Sequence, residues 1–295
     1  MAIKPNKEPS ASFRTEVRND IPEITEEEKT FFTTMIGESL SCYPLPQIIV
    51  GASDHGVYFP VYRDQIFVDL GANVGGLTYI ASQIYQRVIA VEPVVANLRF
   101  LEKVISLENV NNVEVIEAAV GKETGHRFIY TDGDTASGDC NFYNIHPGAS
   151  EEDKQSTPVL SLRALREHII EEYDDDIIDY LKVDIEGAEF EFLYNEDLSN
   201  IRTIAVEVHG VPGPLVGNVT QDDLISYLIK YFVPVRTGNN MFFGHARQPG
   251  IQTDLSALTG AAALTSKKSD AEIIDEIVGW NRAGSPKTTV DEKES

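Results

Sequence analysis

The sequence predicts an α/β fold, a mostly parallel seven-stranded sheet with helices on both faces, and three observations carry that prediction. From Gln65 onward, apolar runs alternate between strand-like and helix-like periodicity, the pattern of a parallel sheet built from β-α-β units. The run at 66–70 ends in a glycine turn and a helix begins near Gly75, as in the first crossover of such a sheet. With 42% hydrophobic residues among 295, the chain has ample core for one large or two small domains.

Residues 1–22 carry three prolines and little periodicity, which predicts a mobile lead-in. A helix is expected over 23–43, because Thr25 and Glu28 have capping-box spacing and Ile24, Phe31, Phe32, Met35, Ile36 and Leu40 recur at helical intervals. Short strands at 47–50 and 57–62 flank a Gly51–Gly56 turn and could pair as a hairpin. Strands follow at 65–70, 87–92, 113–117, 178–184 and 201–208, with two more at 232–236 and 240–245 to close the sheet. Helices fit at 75–85, 94–107, 161–172, 188–195 and 221–231. Between the apolar stretches 126–130 and 158–160 lies a polar segment too long for an ordinary connection, expected to be a lid or disordered. The domain is therefore set at 44–248, and 249–295 is an extension with a short amphipathic helix near 269–278 and a loose tail.

Charge narrows the partners. The net charge is −23, and no Lys/Arg-rich run interrupts it, so broad nucleic-acid binding is not expected. Cys42 and Cys140 are far apart and form no C-x-x-C pair, which favours a reducing, cytoplasmic setting over a disulfide framework or zinc site. No run approaches the 18 or so apolar residues of a membrane span, and the N-terminus lacks an apolar signal core.

The chemistry begins at IFVDLGANVGG, 66–76. In a phosphate-binding turn the second glycine falls two residues after the first; Asn73 occupies that place here, and the dinucleotide fingerprint is broken. Asp69, at the end of the first strand, opposes a pyrophosphate but suits an ammonium or sulfonium charge. The next strand ends in Glu92, 21 residues after Gly71, where an acidic side chain can grip two ribose hydroxyls. In LKVDIEGAE, 181–189, Lys182, Asp184 and Glu186 alternate with apolar residues as a strand runs out at the crevice, and Asp184 is expected to face the ligand. Glu207 and His209 share one face at the same end of the sheet, where His209, Asp184 or Glu186 could take a proton. Asp184, Glu186, Glu207 and His209 together offer donors that hard cations favour, but no metal is assigned.

With these segments in place, the chain resembles the class I S-adenosylmethionine-dependent methyltransferases, and among them the FkbM-type family. The resemblance spans about 65–209 and rests on VDLGANVGG, AVEPVVAN, EAAVG, LKVDIEGAE and AVEVH. It implies a Rossmann-like methyltransferase fold, with Asp69, Gly71, Ala72, Asn73 and Gly75 lining the methionine and adenosine path of S-adenosyl-L-methionine. It also implies that Glu92, followed by Pro93 and Asn97, holds the ribose and that Glu117 and Ala118 lie near the adenine. Family members commonly methylate hydroxyl groups of sugars or natural products, so a small-molecule or glycan acceptor is expected. Segment 131–157 and both terminal extensions show no family pattern.

Two rivals stay open at this level. An inactive S-adenosylmethionine-binding module would keep the pocket and act through its extensions. An NAD-dependent oxidoreductase would need a glycine at position 73 and tolerance of Asp69 beside a pyrophosphate.

Overall fold

The computed structural model describes residues 66–107, 110–130, 154–209, 219–238 and 241–246, together with residues 25, 30–32, 34 and 36. Strands β1 (Ile66–Leu70), β2 (Arg87–Glu92), β3 (Val113–Glu117), β7 (Ile178–Val183) and β8 (Ile201–Glu207) pair in parallel at the centre of a seven-stranded sheet. The edge beyond β8 is a hairpin of β9 (Phe232–Gly238) and β10 (Met241–Ala246), and β10 lies antiparallel to β8. The order across the sheet is β3-β2-β1-β7-β8-β10-β9. All seven expected strands are present, with ends shifted by one or two residues.

Strands covered on both faces must be apolar on both, and β1 shows how one short sequence meets that demand. Ile66, Val68 and Leu70 point into one core layer with Leu181, Val183, Ile204 and Val206. Phe67 points into the opposite layer, where it stacks on Tyr180 with ring centroids 5.0 Å apart and Tyr79, Ile80 and Ile84 close the face. Asp69 shares Phe67's side of the sheet, so this one charge enters a buried face and must find a partner there.

The helices start where local chemistry lets them. Helix α1 (Gly76–Ser82) follows Gly75, and α2 (Val95–Leu107) follows the turn after β2. Helix α3 (Leu162–Tyr173) is capped by Ser161, whose hydroxyl accepts from the Ala164 N–H, and ends at Asp174 in the left-handed region. Helix α4 (Glu189–Leu193) is short and buried. Helix α5 (Gln221–Tyr231) opens on a full capping box between Thr220 and Asp223. The described residues of 30–36 are helical, and Phe32 and Ile36 pack on the Tyr79 and Phe100 side of the core, as the periodicity predicts.

One boundary differs from expectation. A second sheet, order β4-β6-β5, joins β4 (Ala119–Val120), β5 (Gly125–Tyr130) and β6 (Lys154–Leu160). Residues 154–157, expected to belong to the long connection, extend β6 and pair with 127–130, because an antiparallel neighbour satisfies their backbone groups whatever their side chains. The strands expected at 47–50 and 57–62, the remainder of the long segment and the helix near 269–278 fall outside the described residues. Among the described residues no helix is long and apolar enough to cross a membrane.

Candidate active site

The sheet order reverses between β1 and β7, and at such a switch point the loops from the carboxyl ends part to leave a crevice. On the β1 side, the N–H groups of Gly71 and Ala72 both donate to the Val91 carbonyl, at 2.9 and 3.1 Å, folding the turn back over β2. Gly71 has φ +72°, and a Cβ there would lie 1.7 Å from the Asp184 carbonyl oxygen. The glycine thus lets the β1 and β7 loops touch, a closeness no other residue permits. Asn73 also adopts a left-handed conformation, φ 52°, which asparagine tolerates better than most residues.

Glu92 holds this turn. The residue is 4% exposed, and its carboxylate accepts from the Asn73 N–H at 2.8 Å, the Val94 N–H at 3.0 Å and Asn97 Nδ2 at 3.1 Å. Burial pushes its carboxyl above the usual range, and those three hydrogen bonds with the Lys182 charge oppose the rise. Asn97, itself buried, therefore positions Glu92, while the Pro93 carbonyl accepts from Gln155 on β6. Register places Glu117 beside Glu92 at the ends of β3 and β2, half-buried, with Ala118 fully buried behind it.

The partner of Asp69 is Lys182, its register neighbour on β7. Lys182 Nζ lies 3.2 Å from Asp69 Oδ1, 3.6 Å from Asp184 Oδ2 and donates to the Gly71 carbonyl at 2.6 Å. Thr78 Oγ1 donates to the other Asp69 oxygen at 2.7 Å. Burial alone would pull the Lys182 pKa down, but the charges of Asp69 and Asp184 outweigh it and hold the ammonium well protonated. Asp69 thus reaches the crevice through Lys182 and the turn it braces; its own carboxylate is fully buried.

Across the switch point the site is made of side chains. Glu186 has φ 52°, a conformation that costs a non-glycine residue of order 1 kcal/mol or more and concentrates at functional loops. Its Oε2 lies 3.3 Å from His209 Nε2, while Nδ1 of the same ring lies 2.6 Å from Glu189 Oε1. Glu189 is fully buried, takes the Gly187 N–H at 3.1 Å, and its Oε2 has no hydrogen-bond partner among the described residues. Burial would lower the imidazole pKa; the hydrogen bond to Glu189 and the charges of Glu189, Glu186 and Asp184 reverse that and raise it to about 9. One ligand atom each from Asp184, Glu207 and His209 lie within 4.8 Å of one another, all three residues half-buried.

The predicted residues therefore form two groups on one crevice. Gly71, Ala72, Asn73, Gly75, Glu92, Pro93 and Asn97 build the β1–β2 side, and Asp184, Glu186, Glu207 and His209 build the β7–β8 side. Sequence reasoning missed Glu189. Its acidic side chain opens the segment EFEFL, where alternation with phenylalanine was the available sign of burial.

A mostly parallel sheet with this order, a glycine turn after its first strand and a buried acid ending its second define a class I methyltransferase fold. The methyltransferase FkbM domain model matches residues 69–240, and the chain belongs to that family. Among solved structures it is similar to the FkbM methyltransferase of Methylobacillus flagellatus KT, at 15% identity and a TM-score of 0.36, covering 75% of this chain and 56% of that one. It is also similar to a SAM-dependent methyltransferase from Aquifex aeolicus (12% identity, TM-score 0.36, 72% of this chain and 97% of that one). An rRNA methylase from Streptococcus thermophilus is similar at 12% identity and a TM-score of 0.32, over 62% of this chain and 87% of that one. The chain spans little more than half the length of the Methylobacillus protein. No curated protein matches it.

Proposed function

We propose that the protein transfers a methyl group from S-adenosylmethionine to a hydroxyl of a small molecule or glycan. The observation that carries this is the buried Glu92 carboxylate fastened to the Gly71–Asn73 turn, on a crevice otherwise rich in carboxylates. A carboxylate there is suited to a ribose diol, and Asn73 at the place of the second glycine speaks against a pyrophosphate on the turn. Gly71 adds no side chain at this point, so the turn meets the Asp184 carbonyl backbone to backbone.

In this reading Glu92 takes the two ribose hydroxyls, Asn97 and the Asn73 N–H hold its carboxylate, and Glu117 with Ala118 borders the adenine. Gly71, Ala72 and Gly75 shape the turn under the methionine moiety, and Asp69 with Lys182 keeps that turn at its height. The donor supplies an electrophilic methyl on sulfur, so the reaction is an in-line displacement. The protein's work is to align the acceptor oxygen behind that carbon and to remove its proton. Asp184 and Glu186 are the carboxylates that take that proton, and His209 sits beside them. The two isolated cysteines support a cytoplasmic setting.

Electrostatics supports the acceptor class. At net charge −23, and with Asp132, Asp134, Asp139, Glu151, Glu152 and Asp153 against Lys154 in the 131–157 segment, approach of a polyphosphate chain is disfavoured. Two measurements test the proposal. Calorimetry should show binding of S-adenosylhomocysteine and none of NAD. Radiolabelled methyl donor should then mark the small-molecule or glycan fraction of a cell extract. Label chiefly in nucleic acid would overturn the acceptor, and donor binding without incorporation into any fraction would reduce the protein to a binding module.

A further inference from the structure

We infer that Asp184, Glu207 and His209 form a divalent-cation site of the Mn²⁺ type on the acceptor side of the crevice. The inference rests on the methyltransferase reading and specifies what the acceptor meets. The three donors come from the ends of two paired parallel strands, β7 and β8, where Val183 stands opposite Val206. Sheet register therefore brings Asp184 and Glu207 together, and His209 follows two residues beyond β8. A mutual separation within 4.8 Å matches a cation at metal–ligand distances of about 2.1–2.4 Å.

Glu189 is the independent observation. It is fully buried, its Oε1 lies 2.6 Å from His209 Nδ1, and its Oε2 has no hydrogen-bond partner among the described residues. A carboxylate behind one imidazole nitrogen fixes the ring and leaves the other nitrogen facing outward, the arrangement that accompanies metal-binding histidines. Without a cation, Nε2 faces Glu186 at 3.3 Å.

The charge count agrees. Asp184, Glu186, Glu189 and Glu207 lie around this histidine, and Lys182 is shared between Asp69 and Asp184. One imidazole with two carboxylates is a mixed donor set between those preferred by Zn²⁺ and by Mg²⁺, which selects Mn²⁺ as the probe. Three protein ligands leave positions for the acceptor hydroxyl, whose acidity the cation would raise. Asp184 and His209 then serve as ligands, and Glu186 remains as the proton acceptor.

The test uses full-length protein freed of metal with a chelator and titrated with MnCl₂, free Mn²⁺ being followed by electron paramagnetic resonance. One ion per chain is expected. His209→Ala and Glu207→Gln should each weaken it at least tenfold, and Glu189→Gln about tenfold, the lower end of losses for such supporting groups. Parallel calorimetry with S-adenosylhomocysteine should show donor affinity within twofold of the parent in every variant. Absence of a stoichiometric ion in the parent protein overturns the site, and this result needs no variant to fold. Affinity unchanged in both His209→Ala and Glu207→Gln overturns it equally. Mn²⁺ binding with no S-adenosylhomocysteine binding would uphold the site and refute the donor assignment; the reverse pattern would do the opposite.

Discussion

The two sides of the crevice are built from different materials. On the β1–β2 side the shape is made by backbone: two positive-φ glycines, a left-handed Asn73 and N–H groups turned toward one buried carboxylate. On the β7–β8 side it is made by charge: four carboxylates and a histidine, carried at the carboxyl ends of central strands, with β7 regular up to Val183. Damage to the first side should therefore cost fold and donor together, while damage to the second should cost chemistry and leave the fold standing.

The largest effect is expected for Gly71→Ala. A Cβ 1.7 Å from a backbone oxygen, at φ +72°, must force the two loops apart. Destabilisation beyond about 4 kcal/mol, with loss of donor binding, is expected in urea unfolding and calorimetry. Gly125→Ala, where a Cβ meets nothing within 4 Å, is the control and should stay within about 0.5 kcal/mol. A mild Gly71→Ala would mean that the loops need no contact.

Lys182→Met comes next. It strips the buried Asp69 of its ion partner and the Gly71 carbonyl of its donor, so a loss of about 3–5 kcal/mol should appear in the unfolding midpoint. Stability within 1 kcal/mol of the parent would show Asp69 to be compensated by Thr78 alone.

Glu186→Gln sharpens the contrast from the other side. Turnover should fall at least about 100-fold, the lower end for loss of a general base, with donor affinity unaltered. A matching fall in donor affinity would place Glu186 on the wrong side of the crevice. Glu92→Ala should do the reverse, weakening donor binding by about 1–3 kcal/mol. Unchanged affinity in that variant would end the ribose assignment.

The smallest effect lies away from the crevice, at His245. Burial lowers its pKa, so the unfolded chain binds the extra proton first and stability falls as pH drops below about 6.5. His245→Asn should flatten the melting-temperature difference between pH 7.5 and 5.5. An unchanged slope would show that the ring protonates in place.

What was legible in the sequence follows the same division. The glycine turn and Glu92 are near in sequence and their spacing is fixed by one β-α-β unit, so both could be read directly. Asp69 could be read as a charge but not as a paired one. Its partner Lys182 lies 113 residues away, and only strand register brings them together. Glu189 was hidden for another reason. In a chain with 47 acidic residues, an acid at a helix start reads as solvated, and its complete burial comes from tertiary packing of α4. The extension of β6 was hidden because Lys154, Gln155, Ser156 and Thr157 show no alternation; the pairing partner, and not the side chains, makes them a strand.

The β5–β6 pairing carries a consequence for how such an enzyme can diversify. Tyr130 and Lys154 are register partners, so the two strands close on each other by their own ladder, and Gln155 ties the returning strand to Pro93 beside Glu92. The chain between those partners can then be lengthened, shortened or exchanged at an entropic cost of only about 0.6 kcal/mol per doubling. The hairpin stem is in effect a socket. The stretch 131–153 can then vary in length and sequence while the ladder and the Gln155–Pro93 bond stay the same, and evolution or an engineer can explore variants there without renegotiating the fold.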